Sequence, residues 1–184
     1  MNVASRKQIL MPCWTKISTA WGNCGVIWED GLVWRIILPG MGVEELRCEL
    51  RREYPRLREV EGEEPEWMAE LGRFLAGYYA KLAPDGTFLA RKCLDWSRVS
   101  PFCRRVLEAT CRIEYGQVRT YGEIAKELGN AKASRAVGAA LGSNPWPLVV
   151  PCHRVVGAKG QMTGFSAHGG VKTKERMLAM EAKG

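Results

Sequence analysis

The stretch "TYGEIAKELGNAKASRAVGAALG", residues 120–142, decides how the chain is read. Thr120 and Glu123 stand at capping-box spacing, in which the threonine oxygen takes the N3 amide and the glutamate reaches back to the N-cap amide. Ile124, Ala125 and Leu128 then fall on one helical face, and Gly129 stops the helix. A second helix is expected to follow at once, marked by Ala133, Ala136, Val137, Ala140 and Leu141, with small side chains along its length. Two short helices joined by a tight glycine-containing turn read as a helix-turn-helix. The second would be the recognition element: Gly138, Ala139 and Ala140 let its backbone approach a groove closely, and Arg135 projects from its first turns. An αα-hairpin in a plain core has the same spacing, and packing alone would explain the small residues equally well.

Directly downstream, "NPWPLVVPCHRVVG" (144–157) sets a cysteine and a histidine side by side after an apolar run and a proline. A thiol is a strong nucleophile only as thiolate, and an adjacent imidazole is one of the few groups able to deprotonate it near neutral pH. Leu148 to Val150 reads as a short buried strand ending at Pro151. That would put Cys152 in the first turn of whatever follows, where a helix dipole lowers the thiol pKa. Asn144 can bond backbone groups and hold the turn that precedes it. A nucleophile–base pair usually needs a third group to orient the base. In "VKTKERMLAMEAKG" (171–184), Lys174, Met177, Leu178 and Glu181 share one helical face, so Glu181 sits on an apolar stripe, where a carboxylate needs a partner. The competing reading is a small buried hydrophobe at Cys152 and a frayed terminal glutamate in solvent.

Composition sets the frame. The chain of 184 residues is long enough for a substantial core in one or two small domains. It has neither a basic start leading into a long apolar stretch nor a run of eighteen apolar residues, so a cytoplasmic protein without a membrane partner is expected. Seven cysteines at irregular positions suit a reducing compartment rather than a disulfide framework. The formal charge of +7 favours a polyanionic partner, and from Ala131 onward eight lysines and arginines stand against Glu175 and Glu181 alone.

The first half reads as a small α/β unit. "GVIWEDGLVWRIILPG" (25–40) gives two β-rich runs around Asp30-Gly31, a hairpin signal. "GVEELRCELRREYP" (42–55) and "EPEWMAELGRFLAGYYAKL" (64–82) carry helical spacing, the latter through Trp67, Leu71, Phe74, Leu75 and Tyr78. "APDGTFLARKCLDW" (83–96) returns to turn and strand, and a linker is expected over 84–100. Nothing in this half reads as chemistry. Ser100-Pro101 then supplies an N-cap and N1 proline to a helix with Phe102, Val106, Ala109 and Ile113 on one face until Gly116.

"PCHRVVG", preceded by "RAVGAALGSNP" and "YGQVRTYGEIA" and followed by "GF" and a helix ending "LAMEAKG", resembles the DNA-protein-cysteine alkyltransferases that repair methylated guanine, over about residues 98 to 182. The resemblance implies that Cys152 takes the alkyl group from O6 of guanine, possibly also from O4 of thymine, once and irreversibly. It implies that His153 acts as base through a water with Glu181 behind it, and that Asn144 braces the turn. Tyr121 would serve N3 of the departing guanine, and Arg135 would fill the gap left by the flipped nucleotide. Ala136 and Gly138 would meet the DNA, main-chain groups of Val155 and Ser166 would read the base edge, and Phe165 and Lys174 would belong to the pocket. Phe165 stands where some relatives have tyrosine, so a hydroxyl contact to the alkylated oxygen is missing. The implied partner is double-stranded DNA containing O6-alkylguanine, met by a monomer. No cofactor is implied, and Cys13 and Cys24 with only His153 and His168 do not suit a zinc site. The fold expected is an α/β N-terminal domain (small sheet with helices), residues 1–94, and a mostly α C-terminal domain with a helix-turn-helix of winged-helix type, residues 95–184. A damage-flagging module without transfer would lack the cysteine, and a cysteine hydrolase would not need the helix-turn-helix.

Overall fold

The computed structural model describes residues 11–62, 65–82 and 92–182. Strands β1 (Cys13–Thr19), β2 (Gly22–Glu29) and β3 (Leu32–Ile37) form an antiparallel meander, and β4 (Arg58–Glu59) adds to the free edge of β1 in parallel, giving the order β3-β2-β1-β4. The expected hairpin closes at Asp30 and Gly31, whose φ values of 50° and 76° are those of a two-residue turn that matches strand twist. The β1–β2 hairpin was not legible, because its loop, Ala20-Trp21, carries no two-residue turn signature and the shift to positive φ falls on Gly22.

Helices α1 (Val43–Glu53) and α2 (Glu66–Tyr79) lie where the spacing predicts them. They cover opposite faces of the sheet. Trp14 and Ile27 pack on Leu46 and Leu50 of α1, whereas Val26 and Trp28 join Leu71 and Leu75 of α2 in the main core. That core continues without a break into the second half, through Val106, Leu107, Ile124, Val137, Leu141 and Trp146.

The second half is mostly helical: α3 (Pro101–Cys111), α4 (Tyr121–Glu127), α5 (Ser134–Gly142) and α6 (Gly170–Glu181). Ser100 caps α3 through its side chain and Pro101 opens it. Val106 and Ala109 of α3 and Ile113 just after it are buried as expected, but Phe102 is exposed, and Cys103 and Leu107 are buried as well. An N-terminal residue of a helix has no preceding turn to cover it, so the stripe begins one step later. The Thr120–Glu123 capping box forms in full, and Gly129 leaves α4 at φ 85°. α4 and α5, separated by a 3₁₀ turn at Ala131–Ala133, pack together and against α3 as a helix-turn-helix.

Two expectations fail here. Leu148 to Val150 is a turn rather than a strand: Leu148 sits at φ 73°, and Pro147 and Val150 form an isolated bridge across it. Prolines at 145, 147 and 151 remove the amides that a ladder needs. Cys152 opens a three-residue 3₁₀ turn, Cys152–Arg154, so no helix macrodipole acts on the thiol. The turn and strand expected over 83–96 lie largely outside the described residues; Leu94 bridges to Val33.

Candidate active site

Three local devices bring the chosen residues together. The turn 144–151 is braced from within, as Asn144 Nδ2 donates to Val150 O at 3.0 Å and its Oδ1 accepts from Trp146 N at 3.0 Å. It is also docked on the sheet, because Trp146 Nε1 donates to Val33 O at 2.9 Å and Ile36 N to Pro145 O at 2.8 Å. Next, β5 (Arg119–Thr120) pairs in parallel with β6 (Val155–Val156), which ties the start of α4 to the strand that leaves the Cys152 turn. Last, α6 packs on that turn and delivers Lys174 and Glu181 from its inner face.

The result is a cleft of about 730 Å³ with Tyr121, Arg135, Gly138, Cys152, Phe165 and Ser166 in its wall. Thr120, Gly122, Ser134, Leu141, Gly142 and the loop residues Gly157, Ala158, Thr163 and Gly164 complete it, none of them read from the sequence as a site residue. Arg135 is exposed at the head of α5, and Ala136 beside it is exposed outside the cleft wall. Tyr121 Oη donates to Thr163 O at 3.4 Å across the cleft. Val155 and Lys174 lie beneath it, where the fully buried ammonium donates to Val155 O at 2.6 Å and Thr163 O at 3.3 Å. Lys174 and Arg154 are thus internal, and the basic excess of the last fifty residues is only partly a surface property.

Behind Cys152, His153 and Glu181 are buried together. The carboxylate can only accept, so His153 Nε2 carries a proton and donates to Glu181 Oε1 at 2.7 Å. That leaves Nδ1 as the basic nitrogen, and it makes no hydrogen bond among the described residues. Glu181 is the hub of a larger network. Arg154 donates through Nε to Oε2 at 2.9 Å and through Nη2 to Oε1 at 3.1 Å, Gly116 N donates to Oε2 at 3.0 Å, and Tyr78 Oη donates to Oε1 at 2.9 Å. Arg154 was quoted within its motif yet given no part. Tyr78 brings a hydroxyl from the first half into this network: from the sequence it is one more residue on the α2 stripe, although a buried tyrosine needs a partner for its hydroxyl.

Burial and partners set the charges. Burial would raise the Glu181 carboxyl, but the bonds from His153, Arg154 and Gly116 outweigh it and hold the pKa at about 2. Burial lowers His153, against the pull of Glu181, so the imidazole is neutral at rest. The Cys152 thiol is pushed up by burial, with Asn144 and Lys174 acting in the opposite direction. The expected low-pKa cysteine is therefore absent from the free protein: the thiol is stored protonated beside a neutral base.

Residues 101–183 match the family described as 6-O-methylguanine DNA methyltransferase, DNA binding domain. The chain is 43% identical over 127 residues to a methylated-DNA–protein-cysteine methyltransferase of Methanosarcina acetivorans, spanning 65% of this chain and 72% of that protein. It is 51% identical over 86 residues to the protein of the same name from Mycolicibacterium paratuberculosis, spanning 47% of this chain and 51% of the other. Among solved structures it resembles Mycobacterium tuberculosis OGT in complex with DNA, with a TM-score of 0.73 at 29% identity over 93% of this chain and 93% of that one.

Proposed function

Because the chain belongs to the methylated-DNA–protein-cysteine methyltransferase family, we propose that Cys152 is the acceptor through which it works. The protein repairs DNA by moving an alkyl group from a damaged base to a cysteine of its own. In the proposed step the Cys152 sulfur attacks the carbon on O6 of guanine. The C–O6 bond breaks with its electron pair going to the base, while the thiol proton passes to His153 Nδ1 through a water. Glu181 holds the resulting imidazolium, and Tyr121 donates to N3 of the leaving guanine. Asn144 keeps the thiol in place. The target nucleotide must leave the stack to reach the cleft, and Arg135 takes its position. The observation that supports these roles is the shared cleft: the small-sided helix α5, Tyr121 and Cys152 line one cavity, with a neutral His153 hydrogen-bonded to the Glu181 carboxylate behind the thiol.

We propose residues 95–184 as the transferring part, residues 1–94 as its support, and the cytoplasm as the place of action. No helix among the described residues is long and apolar enough to cross a membrane. The buried Cys152 and Cys24 and the exposed Cys48 are thiols rather than disulfides, which suits a reducing compartment. The test is stoichiometry. With duplex containing O6-methylguanine in excess, guanine should be restored in the DNA up to one equivalent per protein and no further. Continued turnover, or loss of the base from the DNA, would refute the reading.

Two substitutions separate recognition from chemistry. Arg135→Ala should slow repair of duplex at saturating DNA far more than attack on the free base O6-benzylguanine, because only the former needs the stack filled. An equal loss on both substrates, or none, would leave Arg135 as a phosphate contact. Gly138→Ala adds a methyl that would meet Tyr121 at 3.7 Å, an ordinary contact, in the middle of a helix. It should stabilise the fold by up to about 1 kcal/mol while weakening duplex binding, because the added methyl stands where the DNA backbone approaches. A melting temperature that rises with unchanged DNA affinity would show that α5 does not meet the groove at that residue.

A further inference from the structure

We propose that Tyr78, carried by α2 in the N-terminal half, is a positioning residue for the alkyl transfer: its hydroxyl tempers the hold of Glu181 on His153 and keeps the imidazole available as a base. The inference rests on His153 being the base of the preceding reading. Tyr78 is almost completely buried, with its ring edge-on to His153 at 5.8 Å and to Tyr79 and Tyr115. A phenylalanine would fill that space as well, so packing does not call for the hydroxyl. Its bonds do. The single proton of the phenol goes to Glu181 Oε1 at 2.9 Å, and its oxygen stands 3.2 Å from His153 Nε2.

Oε1 therefore receives Tyr78, His153 and Arg154 at once. A carboxylate oxygen that shares its lone pairs with a phenol proton attracts an imidazolium less strongly. The charged and titratable groups around His153 are Glu181 and Lys174 from α6, Cys152 and Arg154 from its own turn and Tyr78 from α2, with Tyr115, from the segment after α3, packed on Tyr78 and Arg154. Glu181 alone favours the charged ring, whereas burial, Arg154 and Lys174 favour the neutral one. Tyr78 acts on the side of the neutral ring by weakening the one opposing group, and it reaches the relay from the N-terminal half, whose other described residues make no bond to His153 or Glu181.

The test is the pH profile of single-turnover methyl transfer from O6-methylguanine duplex for wild type, Tyr78→Phe and, as a control on the same helix outside the relay, Tyr79→Phe. Without the phenol proton the imidazolium is held more tightly, so the acid limb of Tyr78→Phe should move to higher pH by about half to one unit, the size of one hydrogen bond. The variant should be roughly three- to tenfold slower on that limb and converge with wild type at higher pH. Tyr79→Phe should follow wild type. A Tyr78→Phe profile that superimposes on wild type, moves to lower pH or falls equally at every pH overturns the proposal. Should the variant fold poorly, the wild type itself decides: in its NMR spectrum the Nε2 proton of His153 should give a cross-peak to the Tyr78 hydroxyl proton, and its absence overturns the proposal. A wild type that takes up no methyl would instead refute the acceptor reading, which keeps the two failures distinct.

Discussion

Cys152→Ala is expected to lose alkyl transfer altogether while still binding duplex DNA. The thiol lies 7% exposed at the inner wall of the cleft, so its removal deletes the nucleophile without altering the surface that α5 and Arg135 present. The turn that carries it is held by the bonds of Asn144 to Val150 and Trp146 and by the docking on β3, which persist when the thiol and its own contact with Asn144 are removed. Loss of one buried sulfur should cost the fold only about 1 kcal/mol. Other thiols do not substitute: Cys24 and Cys111 are pushed up to about 12 by burial, and neither lines the cleft. Methyl transfer surviving in this variant, with the label on Cys103 or Cys111, would displace Cys152 from its role.

Glu181→Gln is expected to damage both chemistry and stability. All four groups around the carboxylate are donors: the His153 ring, the Arg154 guanidinium, the Gly116 amide and the Tyr78 hydroxyl. An amide there points its own NH₂ at donors and leaves Arg154 buried without its counter-charge, which costs on the order of 3–5 kcal/mol. The imidazolium formed during transfer also loses its only carboxylate partner among the described residues, so alkylation should slow and thiolate formation at Cys152 should require higher pH. The stability part has a defined pH window. Glu181 titrates at about 2 in the folded protein, below the roughly 4.3 of an unfolded glutamate, so it contributes about 3 kcal/mol that is fully present above pH ~4.3. That contribution fades as pH falls toward 2. Denaturant melts of wild type and variant should differ most near neutrality and draw together in acid; a constant difference across that range would mean that the carboxylate charge is not what holds the network.

The parts of the site that were legible in the sequence rest on local spacing. The Thr120–Glu123 box, the Ser100-Pro101 helix start and the small residues of α5 each act within one or two turns of backbone, and each takes the expected form. Glu181 was legible as a carboxylate on an apolar stripe that had to find a partner. What spacing does not carry is contact between distant segments and the sense of a short apolar run. "PLVV" has the side chains of a strand, yet the flanking prolines and the positive φ of Leu148 make it a turn, and with the strand goes the helix dipole expected at Cys152. Tyr78 and Glu181 are 103 residues apart, and only the packing of α2 against the second half makes one the donor to the other. Lys174 was legible as a residue of the inner helical face near the pocket, but spacing does not show that its ammonium is spent on two backbone carbonyls under the cleft.

The fate of the alkyl group is the most direct test of Cys152 as acceptor. Incubating the protein with duplex DNA bearing O6-methylguanine, weighing it intact and then mapping its peptides should show the gain of one methyl group, confined to the peptide that contains Cys152. An unchanged mass with DNA bound, or a methyl carried by any other residue, would contradict it.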